Sequence, residues 1–113
     1  MYDLEERTGR YGERVIELAR SLSRDPINNE LIRQFVRSGT SIGANYMEAN
    51  GAESSKDFRH KIAICRKEAK ETGHWLRMIE KANPGHRAQC KALGSEAHEL
   101  TLIFSAIINK LKR

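Results

Sequence analysis

Apolar side chains recur every three or four residues along most of the chain, the spacing that places them on one face of an α-helix. The third segment with this pattern begins at Ser54 or Ser55 and stops before Pro84. Its seam of apolar and small residues alternates steps of four and three, at Phe58, Ile62, Cys65, Ala69, Thr72, Leu76 and Ile79. A seam sustained in this way predicts a long helix in a coiled-coil-like bundle.

Three other segments carry the same periodicity. They run from Leu4 to near Ser23, from about Pro26 to Asn50, and from Pro84 to about Leu111. Short connections between four such helices predict an all-α fold, an antiparallel up-down four-helix bundle. We expect residues 1–113 to form a single domain, since no linker, repeat or low-complexity segment interrupts them.

Capping residues mark the predicted helix boundaries. Asp25 precedes Pro26, which is the arrangement of an N-cap followed by a proline in the first turn. Gly51 is a C-cap signal for the second helix, because glycine can adopt the left-handed conformation. Asn83 is expected to stop the third helix and to cap the fourth.

The second helix carries two apolar stripes, which indicates that neighbours cover it on two sides. Gly39 and Gly43 lie within these stripes, four residues apart. In a membrane helix this spacing suggests dimerisation, but this segment is too polar to span a bilayer. We interpret the two glycines as allowing another helix to approach closely, or as leaving room for the large Trp75.

Composition agrees with a small helical bundle. The chain has 113 residues, of which 39% are hydrophobic and 31% charged. Only 6% are aromatic and two are proline, which argues against a β-sandwich or barrel because those folds need many turns and β-formers. A core of this size would gain stability from oligomerisation.

The net charge and the absence of long apolar runs limit the classes of partner and the cellular compartment. The net charge of +5 leaves nucleic acid, an anionic membrane or an acidic protein as classes of partner. No segment approaches the ~20 apolar residues of a membrane span, and the first residues lack a signal-peptide core. We therefore expect a cytoplasmic protein without membrane contact. Cys65 and Cys90 should be free thiols, with Cys65 in the core.

A basic stripe follows the seam of the third helix, one position later in each heptad. Its charged members are Lys56, Arg59, Arg66, Lys70, Arg77 and Lys81. One interpretation is an ordinary solvated face of the helix, with or without pairing of its cations to acids on a neighbour. The other is a track for phosphates along ~35 Å of helix. Few aromatic residues are available to stack on bases. Such a track would therefore recognise the backbone and shape of a nucleic acid more than its base sequence.

The opposite flank of the third helix mixes acids with bulky apolar residues, including Glu68, Glu71 and Trp75. This mixture suits a second interface better than open solvent. Counting along the two helices from the turn near Gly51 places Glu48 near Lys56 and Glu68 further up. These acids and Asn45 therefore should not all meet within one subunit.

An unpaired acid on this flank would be costly to bury. Arg33 or Arg37 on the second helix are therefore the expected partners of Glu68 and Glu71.

No chemistry-bearing motif is complete. Glu71 and His74 match the Glu-x-x-His unit of di-metal bundles, but a second unit and two further inward glutamates are missing. No phosphate loop, nucleophile elbow or dinucleotide fingerprint occurs. We predict no catalytic residues, no metal and no cofactor, and we expect that the protein is not an enzyme.

Four segments resemble one family. They are Arg37–Ala49, which reads RSGTSIGANYMEA, then Asp57–Phe58, then Lys67–Thr72, which reads KEAKET, and Trp75–Leu76. In order and at these distances, they are similar to the four-helix-bundle proteins known as 23S rRNA intervening-sequence proteins. The resemblance covers the second and third helices strongly and the rest by pattern.

The resemblance implies an up-down bundle that assembles into a ring, a homopentamer in known members. Some members are encoded within insertions in bacterial large-subunit rRNA genes. A related accessory protein of diversity-generating retroelements forms a basic pentamer that works with nucleic acid and a reverse transcriptase. The family has no accepted catalytic residues. By residue type, its motif positions are structural or interfacial: Ser41, Asn45, Glu48, Glu68, Glu71 and, beside them, Trp75.

The sequence thus favours a homo-oligomer whose basic surface binds RNA or DNA, in connection with rRNA intervening sequences or with a retroelement and its reverse transcriptase. A protein-interaction scaffold with no nucleic-acid role is the main alternative. A metal-dependent bundle enzyme is a third.

Overall fold

Four α-helices form the protein in a computed structural model that describes residues 3–111. They are α1 (Leu4–Ser21), α2 (Pro26–Asn50), α3 (Ser55–Ala82) and α4 (Arg87–Leu111), with a short 3₁₀ turn at Pro84–His86 before α4. Consecutive helices pack against each other, and α1 also touches α4. The bundle measures 46 × 20 × 20 Å. Helices this long fit into that length only if neighbours run antiparallel.

The predicted all-α up-down bundle is therefore confirmed, and no β-strand occurs between residues 3 and 111. Our expectation of one domain over residues 1–113 also includes Met1, Tyr2, Lys112 and Arg113, which lie outside the described residues.

The starts of α2 and α3 follow the capping signals in the sequence. The Asp25 carboxylate accepts a hydrogen bond from the Asn28 N–H at 2.7 Å, and Pro26 occupies the first turn. The Ser54 hydroxyl accepts from the Asp57 N–H at 3.0 Å. Each side chain satisfies an N–H that has no partner within the helix.

Two helix ends differ from the prediction. Gly51 does end α2, but with φ −96° it is not left-handed. The chain instead tightens into a 3₁₀-type turn, in which the Gly51 N–H donates to the Glu48 carbonyl at 3.1 Å. The first helix also stops at Ser21, because Leu22 turns to an extended conformation and becomes buried.

Asn83 ends α3 as predicted and is the N-cap residue of the 3₁₀ turn before α4, but its side chain makes no capping hydrogen bond to that turn. Its side-chain amide donates to the Ile79 carbonyl at 2.9 Å and so closes the end of α3. The same side chain exchanges two hydrogen bonds of 2.9 Å with Asn28 at the start of α2. Asn83 therefore ties two helices together at this end of the bundle.

The predicted seam of α3 lies in the core from Ile62 to Ile79, and Phe58 at its start is half-buried. In α4 the buried positions alternate steps of three and four residues as far as Phe104. The next step is four and not three, so Ile108 is buried and Ile107 only half-buried. Cys65 and Cys90 are free and buried, as predicted.

The two glycines of α2 face α1. A Cβ atom on Gly43 would lie 3.4 Å from the backbone of Thr8, and one on Gly39 would meet Val15 more closely still. The interpretation as a close helix approach is confirmed. Room for Trp75 is not the reason, because both glycines face α1, whereas Trp75 lies on α3, where its indole N–H donates to Glu71.

Candidate nucleic-acid interface

The basic stripe runs along the edge of α3 that faces α4. The Arg66 guanidinium donates to the Ser105 hydroxyl of α4 at 3.5 Å. Further along, Arg77 and Lys81 line an open groove between the two helices. The stripe thus follows the α3/α4 side of the bundle from one end to the other.

The six stripe residues are not equally accessible. Lys56, Lys70, Arg77 and Lys81 are exposed. Arg59 and Arg66 are half-buried, since their stems lie against the bundle. At 1.5 Å per residue, the exposed cations span about 38 Å of helix.

The exposed stripe cations have no acidic partner within residues 3–111. Cations elsewhere do form ion pairs with carboxylates, among them Arg7, Arg10, Arg33, Arg37, Lys61, Arg87 and Lys91. Acids of a neighbouring helix therefore do not neutralise these four side chains, an arrangement that fits both a plain solvated face and a phosphate track.

The opposite flank of α3 packs beside α2. Arg37 reaches both acids, with Nη1 3.4 Å from Glu68 and Nη2 paired with Glu71, while Arg33 pairs with Glu30 instead. The expectation that Arg33 or Arg37 would partner these acids is met by Arg37. The Trp75 indole N–H donates to the same Glu71 carboxylate at 3.1 Å.

Beneath this ion-pair group, the buried hydroxyls of Ser38 and Thr72 hydrogen-bond to each other at 3.0 Å. The acids of this flank are therefore partnered within the chain.

The other motif residues form a separate group nearer the Gly51 turn. Glu48 pairs with Lys61 at 2.8 Å, so the predicted position near Lys56 was wrong. Side chains lean toward the N-terminus of their own helix, which brings the Lys61 ammonium back toward the turn and the Glu48 carboxylate away from it. Asn45 donates to the Ser41 carbonyl at 2.8 Å. As expected, these residues and the two acids beside Arg37 do not converge in one subunit.

The Glu-x-x-His match has no second unit beside it. Glu71 is held by Arg37 and Trp75, and His74 is exposed with its ring edge-on to Trp75 at 5.0 Å. Within residues 3–111, no three His, Cys, Asp or Glu side chains lie close enough to hold a metal ion. Burial raises the pKa of the Cys65 thiol to about 12, so it is protonated at neutral pH.

Two cations on α4 were missed in the sequence. Glu80 of α3 lies 3.4 Å from Arg87 and 3.6 Å from Lys91, across the groove that Arg77 and Lys81 line. A usable signal was present. Lys81 and Arg87 each lie three residues from Pro84, and Arg77 and Lys91 each lie seven, so an antiparallel hairpin turning there sets them at matching levels.

None of the helices between residues 3 and 111 is both long and apolar enough to cross a bilayer.

Comparison with known proteins identifies the family. The crystal structure of a protein of unknown function from the S23 ribosomal protein family of Bacteroides thetaiotaomicron superimposes with a TM-score of 0.80 at 30% identity. The match covers 92% of this chain and 96% of that one. No curated protein gives a significant match. The sequence profile described as 23S rRNA-intervening sequence protein matches residues 5–106. This chain therefore belongs to the 23S rRNA-intervening sequence protein family.

Proposed function

We propose that this protein is a non-enzymatic, homo-oligomeric bundle that binds RNA or DNA through the basic stripe of α3. The observation that carries the proposal is the set of exposed cations on one helix edge, Lys56, Lys70, Arg77 and Lys81, none of which pairs with an acid of residues 3–111. When such cations neutralise phosphates, the counterions condensed on the nucleic acid are released, and this release favours binding. The family name supports a link between this binding and rRNA intervening sequences. The other genetic context in which the protein would bind nucleic acid is a retroelement with its reverse transcriptase.

Assembly into a ring, a pentamer by resemblance, is part of the proposal. A ring joins two different surfaces of each subunit. Met47 is 63% exposed beside Ile16 on the α1/α2 side, and Leu102 is 55% exposed on α4 beside half-buried Ile103. These two apolar patches lie on different faces, as head-to-tail contact requires.

A gel shift with a structured RNA hairpin at low salt tests the binding. Arg66 is a poor choice for charge reversal because it is half-buried. The variant Lys70→Glu/Arg77→Glu/Lys81→Glu changes only exposed residues and should lose the complex. Arg14→Glu/Arg20→Glu/Arg24→Glu removes equal charge from exposed positions on α1 and the following turn and should keep most binding. Equal losses in both variants would mean a general charge effect and would count against the stripe.

A protein-interaction scaffold is the second candidate. Ile27 is 66% exposed, and this residue belongs to neither apolar patch described above. If this candidate function is correct, a protein partner should still be captured in a pull-down after nuclease treatment. Reversing the charges of the basic stripe should not change that capture.

A further inference from the structure

The groove between α3 and α4 has features that the stripe alone does not explain. It is open, has a volume of about 850 Å³, and lies at the end of the bundle where Pro84 turns the chain. Arg77 and Lys81 line it from α3, and Arg87 and Lys91 line it from α4. Cations therefore stand on both walls of the groove.

Glycines deepen the groove. Gly73 on α3 and Gly94 on α4 both line it, and a Cβ atom at either position would meet nothing within 4 Å. Both glycines lie inside helices, where each costs about 1 kcal/mol relative to alanine. Neither is required by backbone conformation, since no glycine of the described residues has a positive φ. What the two residues provide is open space beside the backbone of each helix.

One acid stands among these cations. Glu80 bridges Arg87 at 3.4 Å and Lys91 at 3.6 Å, and its side chain is only 26% exposed. The four cations still outnumber this single carboxylate, so the groove keeps a net positive charge. An anion entering the groove would compete with Glu80 for the two cations of α4.

We propose that this groove holds a single strand of RNA or DNA, with its phosphates on the cations of both walls and its sugars and bases in the space beside Gly73 and Gly94. This inference rests on the proposed nucleic-acid binding and names the form of nucleic acid. A duplex is too wide to enter between two adjacent helices, so it would touch only the rim. Single strands are commonly bound in positively charged grooves that follow the backbone.

The test compares a fluorescent oligonucleotide of about ten nucleotides with a blunt duplex of the same sequence, by anisotropy at low salt. Gly73→Leu/Gly94→Leu fills the groove without changing charge, and the space around both positions lets the protein fold. Its affinity for the single strand should fall by about tenfold or more, with little change for the duplex. Gly51→Leu, at an exposed glycine of the turn between α2 and α3, outside the groove and outside both apolar patches, should leave both affinities unchanged.

A second variant gives a gain instead of a loss. Glu80→Gln frees Arg87 and Lys91 and should tighten single-strand binding several-fold. Glu6→Gln removes the same charge from the exposed pair with Arg10 on α1 and should change binding much less. A gain of this kind cannot come from misfolding.

The outcomes separate the two proposals. If the filled groove binds the single strand like the wild type, or if the duplex loses as much affinity as the strand, the groove assignment is overturned while binding by the stripe stands. If Glu80→Gln and Glu6→Gln act alike, the groove assignment is also overturned. If the wild type binds neither probe, nucleic-acid binding itself fails and the groove assignment falls with it.

Discussion

Gly39 of α2 and Val15 of α1 meet where no side chain would fit between the helices. A Cβ atom on Gly39 would lie 2.7 Å from one methyl carbon of Val15 and 2.9 Å from the other. Val15 is fully buried and β-branched, so it has little freedom to move aside. The contact fixes the distance between α1 and α2.

Gly39→Ala should therefore destabilise the protein. Overpacking a buried contact costs about 1–3 kcal/mol, which exceeds the gain of up to about 1 kcal/mol from helix propensity. Gly9→Ala is the matched control, because a Cβ there meets nothing within 4 Å and only the gain remains. Urea midpoints of the two variants should move in opposite directions. A Gly39→Ala protein as stable as the wild type would show that the helices separate without cost.

The pairing of Arg37 with Glu68 and Glu71 should contribute measurably to stability. The Glu68 side chain is only 14% exposed, so Arg37→Met leaves a mostly buried carboxylate without its partner. We expect a loss of about 1–3 kcal/mol. A double-mutant cycle with Glu68→Gln isolates the coupling.

The exposed Arg33–Glu30 pair is the control for that cycle, and its coupling should be much smaller because water screens both charges. If both cycles give the same coupling free energy, burial of the acids beside Arg37 has no energetic role.

Alkaline pH should weaken the fold. Burial raises the pKa of the Cys65 thiol from 9.0 to about 12, and it also raises the pKa of the Tyr11 phenol. At a pH between the unfolded and the folded pKa of either group, the unfolded chain has released a proton that the folded chain still holds. The contribution of the thiol is therefore complete below its unfolded pKa of 9.0 and falls as pH rises toward 12. That of the phenol falls only above its unfolded pKa of 10.0, and each group loses up to about 1.4 kcal/mol per pH unit.

Urea midpoints at about pH 8 and about pH 11 measure this loss. Cys65→Ala should be less stable than the wild type at the lower pH because it leaves a cavity. Its stability should nevertheless fall less than that of the wild type between the lower and the higher pH. An equal loss in the wild type and in this variant would mean that the thiol does not contribute.

The apolar patch at Met47 should control assembly. Met47→Glu places a charge on a 63% exposed side chain and leaves the subunit core intact, so the oligomer should dissociate while the helix content stays the same. Light scattering after gel filtration gives the mass, and circular dichroism the helicity. Lys70→Glu, on the basic stripe, should keep the mass of the wild type. An unchanged mass for Met47→Glu would exclude this patch from the subunit contact.

The heptad pattern of α3 predicted its buried face because burial of apolar surface follows helical spacing directly. The resemblance and the periodicity also agreed on the bundle. Ion pairs across helices were harder to predict. Arg37 was correctly predicted as a possible partner of Glu68 and Glu71. Glu48, however, pairs with Lys61, because long side chains lean along their helices and so shift an ion pair by more than one turn.

The contacts between helix ends were not visible in the sequence. Asn28 and Asn83 lie 55 residues apart and exchange two hydrogen bonds, a pairing that depends on how two turns meet in space. Arg87 and Lys91 were missed although their spacings from Pro84 match those of Lys81 and Arg77. Their importance comes from facing Lys81 and Arg77 across a groove, and neither helix alone shows it.

The most direct test of nucleic-acid binding by the stripe is its salt dependence, measured by anisotropy with a labelled RNA hairpin. The logarithm of the wild-type binding constant should fall linearly with the logarithm of salt concentration, with a slope set by the number of phosphates neutralised. In the variant Lys70→Gln/Arg77→Gln/Lys81→Gln that slope should become shallower by about 0.7–0.9 for each phosphate that is no longer neutralised. No wild-type binding at about 50 mM salt, or the same slope in both proteins, would contradict the account.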